Sequence, residues 1–308
     1  MTSSPHAPVA RAGRPAGPAR LRRGQGQGLA AFWFLLPALL ALGILRLIPA
    51  GFAFFDGFFR ESLLQGGRSF VGLGNYADLF TNPDFQQSVA VTLLFTVLIN
   101  PIQVACAFLL AVLFTRRAAA SRLWRSLVIL PIATPPAVSA VIWSVIYRPD
   151  GLGNAFLEML RIPPQPFLTS PVQALPSIII LLSWIGVGYW MLFLIAGIND
   201  IPTEIHEAAS LDGVSWWGRM WHITLPLVRR PLAFVLVADT VSNLMVFAPV
   251  QILTKGGPNG TTNLMMYDIF TRAYAIGDIH TAQAEVILLV AITLVIVGAQ
   301  FRLLKGDD

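Results

Sequence analysis

The groups in this 308-residue chain that could carry chemistry are few. The four histidines, His6, His206, His222 and His280, lack metal-ligand partners at helical spacing. Cys106 is the single cysteine and sits inside an apolar run, so an internal disulfide is excluded. No Gly-x-Ser-x-Gly elbow is present. Gly213–Met220, GVSWWGRM, has the two glycines of a phosphate loop. Arg219 stands there in place of the required lysine, and Met220 replaces the hydroxyl that would hold magnesium. No catalytic residue, metal or cofactor is therefore expected. The remaining candidates are polar residues inside apolar runs. Asp239, Ser242 and Asn243 fall on one helix face, and Glu285 lies in a later run. Asp239 and Asn243 either line a path for a polar solute or bond neighbouring helices; that intramembrane ionisable groups are usually functional keeps the solute reading open beside helix–helix bonding. For Ser242 a helix–helix hydrogen bond is the expectation.

These residues need a scaffold, and composition names its class. The chain is 55% hydrophobic and 12% charged, where soluble domains carry about a quarter charged residues. Apolar runs longer than 18 residues read as membrane helices, because backbone in lipid must satisfy its own hydrogen bonds. Six spans are expected: about Leu29–Phe54, Ser88–Phe114, Leu127–Tyr147, Leu175–Gly197, Pro231–Leu253 and His280–Phe301. Pro135-Pro136 in the third and Pro101 in the second mark kinks or breaks of the kind that can line a cavity. Residues 1–28, rich in Pro, Gly, Ala and Arg, read as a disordered basic tail. Residues 29–87 hold the first span and outer loop, 88–301 the five-span core, and 302–308 the C-terminal end.

Lys and Arg between the spans set the orientation. Fourteen lie in the tail, the loops near 115–126 and 198–230, and the C-terminal end; six lie in the other set of segments. That split puts both termini and the 198–230 loop in the cytoplasm. It also accounts for the net charge of +5 without nucleic acid. On the outer side, Phe70–Asn82 and Gly151–Leu160 read as short amphipathic helices.

The most patterned cytoplasmic segment starts at Asn199. Asn199 or Asp200 is expected to cap a helix running through Glu204 and Glu207 to about Leu211, with Pro202 in its first turn. Ala208 and Ala209 keep its surface low enough for a partner's groove to approach. Gly213 ends the helix in a left-handed conformation. Ser215 opens a second short helix with Trp216, Trp217 and Trp221, and Pro226 and Pro231 end it before the fifth span.

Glu207-Ala208-Ala209, three residues, Gly213, nine residues, Ile223, one residue, Leu225-Pro226 resembles the signature of permease subunits of bacterial binding-protein-dependent ABC importers. FLLPALLAL, FVGLGNY and GGPNGTTN resemble the sugar and glycerol-phosphate branch. The resemblance implies an all-α, six-span, type-1 importer permease of the bacterial inner membrane, working with a second permease, two ATP-binding subunits, an extracytoplasmic solute-binding protein and membrane lipid. It implies that the loop, with Asp212 at its turn, fits a groove on the ATPase and rocks the spans. ATP hydrolysis would belong to the partners. The competing reading is an ion-gradient transporter, which needs paired ionisable groups and symmetry-related halves. Only Asp239 and Glu285 qualify, and no inverted repeat is evident.

Overall fold

The computed structural model describes residues 25–62, 67–115 and 119–304. The expected basic tail lies almost wholly outside the described residues, as do 305–308. The chain divides into two compact units, Met1–Phe52 and Ala53–Asp308. The described part of the first unit is one apolar helical run: α1 (Gln25–Leu42), a π turn (Gly43–Leu47) and the start of α2 (Ile48–Asp56).

Near its start the second unit has an antiparallel hairpin, β1 (Phe59–Ser62) and β2 (Gly67–Phe70), Phe59 facing Phe70. An all-α reading misses this element, whose pairing needs only four residues a side. Arg60 on its edge reaches Asn75 and Asp78. Asn75, in the short helix α3 (Gly74–Thr81), donates to the carbonyls of Gly57 and Phe59 and fixes the hairpin's base.

The long helix α4 (Pro83–Phe114) starts five residues earlier than the apolar run implies. The Asn82 side-chain oxygen accepts from the amides of Asp84 (2.8 Å) and Phe85 (3.3 Å), and Pro83 needs no donor at the first helical position. The third apolar run is two helices, not one. Residues α5 (Ala119–Ile129) and a 3₁₀ turn (Leu130–Ala133) meet α6 (Pro136–Ile146) at 104°. The cause is the Pro135-Pro136 pair. Proline forces the residue before it out of the helical region, and Pro135 sits at ψ 144. Then follow α7 (Leu152–Met159), the long α8 (Ala174–Asn199), and the loop helices α9 (Thr203–Leu211), α10 (Trp216–Arg219) and α11 (Leu225–Leu227), with a π turn (Met220–Thr224) between the last two. α12 (Arg229–Leu244) stops short of α13 (Ala248–Leu253) at Met245–Phe247. α14 (Met265–Phe270), a π turn (Thr271–Ile276) and α15 (Ile279–Leu304) complete the chain. Five stretches among the described residues are long and apolar enough to cross a membrane, six if the bent pair is one span.

α4 and α8 form the central pair, and α12 packs on both. Between helices in lipid, close packing replaces the hydrophobic drive. Gly188 shows how close: a Cβ there would lie 2.2 Å from the Val128 carbonyl oxygen. The inner core joins Phe108, Met191, Leu194 and Val235 to Met220 from the loop. A second core joins Phe95, Ile99, Ile178, Leu181 and Val250, and a third binds Leu79 and Phe85 to Met265 and Leu289.

Glu285 lies near the start of α15. It is fully buried and accepts from Arg272 Nε at 3.2 Å, while Arg272 Nη2 reaches Asp268 at 3.1 Å. Burial opposes the guanidinium charge, yet Asp268 and Glu285 together hold the Arg272 pKa above its ordinary value. The sequence alone gives Glu285 no partner; in the fold it closes an ion pair with the loop before α15.

Candidate functional site

Two regions carry the polar residues singled out in the sequence. The first is the loop α9–α11. The α9 helix opens at Pro202, not at Asn199 or Asp200: Asn199 is the last residue of α8, and Asp200 follows as its cap. Pro202 takes the extended conformation (φ −53, ψ 134) that precedes a helix, and no side chain caps α9. The helix ends in a complete Schellman motif. Gly213 N–H donates to Ser210 O (3.2 Å) and Val214 N–H to Ala209 O (3.0 Å), with Gly213 at φ +70. Ser215 then accepts from Gly218 N–H at 3.1 Å and starts α10.

The loop's signature positions face two ways. Glu204, Glu207, Ala208 and Leu211 are exposed, Leu211 at 88%. Ala209 is buried, so only Ala208 of the alanine pair offers a low outer surface. Ile223 and Leu225 are half-buried, Leu225 against the inner core, while Asp212, Gly213 and Pro226 are exposed. Met220 is 1% exposed and roots the loop in that core. Of the tryptophans, Trp216 packs on the core, and Trp217 and Trp221 stay more than half exposed. The second helical stretch does not stop at Pro226, which lies inside α11; it breaks at Val228.

The second region is a cavity of about 640 Å³ inside the helix bundle. Its walls include both broken segments, Thr134–Pro136 and Met245–Ala248. Irregular backbone at membrane depth is tolerated where it lines a cavity. Asp239 and Asn243 are both buried and both line it. Asn243 Nδ2 lies 2.8 Å from Asn100 Oδ1, 3.1 Å from Gln103 Oε1 and 3.1 Å from Asp239 Oδ1. Asn100 Nδ2 and Gln300 Nε2 both donate to Thr240 Oγ1 at 2.7 Å. Asp239 Oδ2 is buried with no hydrogen-bond partner. Tyr189 and Trp190 of α8 face the same space. Asn243 thus bonds α12 to α4 and also lines the cavity. Ser242 also lines the cavity, and it makes no helix–helix hydrogen bond among the described residues. Its hydroxyl donates to Ala238 O of its own helix at 2.9 Å.

The residues that sequence reading misses are the partners on α4 and α8. Asn100 and Gln103 are polar residues three apart in an apolar run, flanking Pro101, and that spacing puts them on one face. The signal was available. Tyr189 and Trp190 carried none, because aromatics are ordinary in such a run.

The family described as "Binding-protein-dependent transport system inner membrane component" matches residues 103–305. The chain belongs to this family. Among relatives, the "sn-glycerol-3-phosphate transport system permease protein UgpA" of Brucella abortus is 30% identical over 278 residues, covering 89% of this chain and 94% of that protein. The "Trehalose/maltose transport system permease protein MalF" of Thermococcus litoralis is 30% identical over 264 residues, covering 85% and 89%. The permease fold matches that in the crystal structure of a bacterial ABC transporter for the acidic polysaccharide alginate, with TM-score 0.80 at 21% identity over 91% of this chain and 96% of that one. The chain is accordingly an inner-membrane permease subunit of an ABC importer with the type-1 fold. The loop and the residues lining the cavity lie within the part the family covers, and Asn100 falls just before it.

Proposed function

We propose that this permease carries an uncharged, hydroxyl-rich solute of the sugar type through the cavity at Asp239 and Asn243, driven through the α9–α11 loop by partner ATPases. In this reading there are six spans with both termini in the cytoplasm. The bent pair α5–α6 counts as one span, and the regions are those expected from the sequence: tail 1–28, first span and outer loop 29–87, core 88–301 and end 302–308. A second permease completes the pathway, two ATP-binding subunits sit below, and an extracytoplasmic binding protein delivers the solute.

The observation that carries the coupling role is the outward strip Glu204–Glu207–Ala208–Leu211, backed by a loop rooted at Met220. An apolar side chain as open as Leu211 at a helix end suits a partner's groove. Glu207 beside it can accept a charge-assisted hydrogen bond, worth roughly 1.5–3 kcal/mol when shielded. Asp212 and Gly213 set the turn, and Ala209, Ile223, Leu225 and Pro226 set the angle between the two helices.

The solute class follows from the cavity's polarity. It holds one carboxylate with an unpartnered oxygen, two amides and three aromatic side chains, and no Lys or Arg among its described lining residues. A sugar's hydroxyls donate to such acceptors, and its apolar face stacks on the rings. A phosphate ester would meet only negative charge from this subunit. The relatives named for trehalose/maltose are the better guide than those named for glycerol phosphate.

The test of coupling is solute-stimulated ATP hydrolysis by the assembled complex. Proline at 213 cannot reach φ +70 and removes the N–H that closes the turn. Gly213→Pro and Glu207→Lys are expected to insert normally and to lose stimulation. Wild-type hydrolysis and uptake in both variants would overturn the assignment.

A further inference from the structure

A second cavity, of about 690 Å³, opens between the inner ends of α4 and α8 and the α9–α10 loop. Its polar lining is Thr115, Asn199, Thr203, His206, Arg219 and Thr224. Among the described residues no carboxylate lines it. Arg219 Nη1 donates to Ser210 Oγ at 2.6 Å, and Ser210 Oγ donates on to His206 O at 2.7 Å. The guanidinium is thus held in place with one of its five N–H groups used. Among the described residues no carboxylate lies within ion-pair distance of it. Arginine stays charged at any working pH. A half-buried cation facing an open cavity, with no carboxylate beside it among the described residues, is suited to receive an anion. Trp216 closes one wall, and Thr203 brings the uncapped, positive end of α9 to the same space.

We propose that this cavity binds a phosphate group, with Arg219 as its cation and the phosphate presented either by an anionic lipid headgroup or by a soluble phosphorylated compound. The planar fork of arginine matches two phosphate oxygens at once. The exposed rings of Trp217 and Trp221 on the same loop suit the headgroup level of a bilayer. This site is separate from the solute cavity and lies behind α9, on the side away from the strip proposed to meet the ATPase. It would make the angle of α9 depend on what the cavity holds. Only the loop's cytoplasmic position is taken from the preceding section, and the binding test below is independent of orientation.

The full complex, purified in detergent and stripped of lipid, is titrated with phosphatidylglycerol and separately with inorganic phosphate, with phosphatidylcholine as control. Its thermal midpoint is followed. A saturable rise is expected with at least one anionic probe. Phosphatidylglycerol alone assigns the site to lipid, and inorganic phosphate assigns it to a soluble ligand. Arg219→Gln is expected to weaken binding about tenfold or more, the loss of a charge-assisted bond. Ser210→Ala, which keeps the charge, is expected to retain the response. Thr203→Glu, an exposed position that puts a carboxylate in the cavity without touching Arg219, is expected to abolish it. The proposal fails if neither probe gives a saturable rise, or if Ser210→Ala loses the response as fully as Arg219→Gln, which would make Arg219 only a clasp between two helices. Should Arg219→Gln not assemble, an unaltered response in Thr203→Glu overturns the proposal by itself.

Discussion

The loop α9–α11 and the cavity at Asp239 are built in opposite ways. In the loop, backbone does the positioning: a Schellman turn, a serine cap and one buried methionine hold a strip of exposed side chains. In the cavity, side chains do the positioning. Asn243 is held by Asn100 and Gln103 from another helix, and the backbone nearby is broken. A region organised by its backbone can present almost any side chain outward without loss of structure. A region organised by a buried network cannot change one member without disturbing the others. Substitutions in the loop should therefore alter coupling and leave the fold alone, whereas those in the cavity should alter both.

The strongest challenge to this contrast is Asn243→Leu. It leaves the buried side-chain carbonyls of Asn100 and Gln103 without their donor, at roughly 1–3 kcal/mol for each group orphaned. Uptake and the thermal midpoint of the complex should fall together; an unchanged midpoint would mean the network is not structural, and the contrast would collapse. Next in size is Leu211→Ser. Loss of a buried leucine costs about 1.5–3 kcal/mol, and here it should appear only as weaker retention of the ATPase subunits, with the permease's own stability unmoved. Gly213→Ala comes third. A left-handed alanine costs roughly 1–2 kcal/mol, so stimulated hydrolysis should drop severalfold while solute delivery and assembly stay normal. Ser242→Ala should do least. Its hydroxyl bonds only its own helix, and a change within about 0.5 kcal/mol is expected. A large loss of uptake there would give Ser242 a direct solute contact.

The same contrast explains what could be read from the sequence. The loop was legible because its determinants are local. Gly213, Ser215 and the Glu-Ala-Ala spacing lie within a few residues of the geometry they produce. The inward turn of Ala209 was not, since it depends on the core beneath. The apolar runs gave the spans, and their ends moved where a cap such as Asn82 extended a helix past its apolar part. Pro135-Pro136 announced a break but not its size of 104°. The break at Met245–Phe247 had no signal of its own, with Pro249 two residues beyond it. Asp239 and Asn243 could be placed on one face. Their partners Asn100 and Gln103 lie some 140 residues away in sequence, and no local pattern links the two helices. Glu285 stayed unexplained for the same reason until Arg272 was placed beside it.

The depth of Met220 has a mechanical consequence. The nine residues of α9 make an arm of about 13 Å. It joins its root through a turn closed by two hydrogen bonds, with no run of free torsions between. Such a linkage is a crank rather than a tether: a tilt of about 10° at the root moves the tip by about 2 Å, and a push on the tip returns as torque on α4 and α8. Under the proposed coupling, slack inserted anywhere between Gly213 and Met220 is expected to waste the stroke before it reaches the membrane helices.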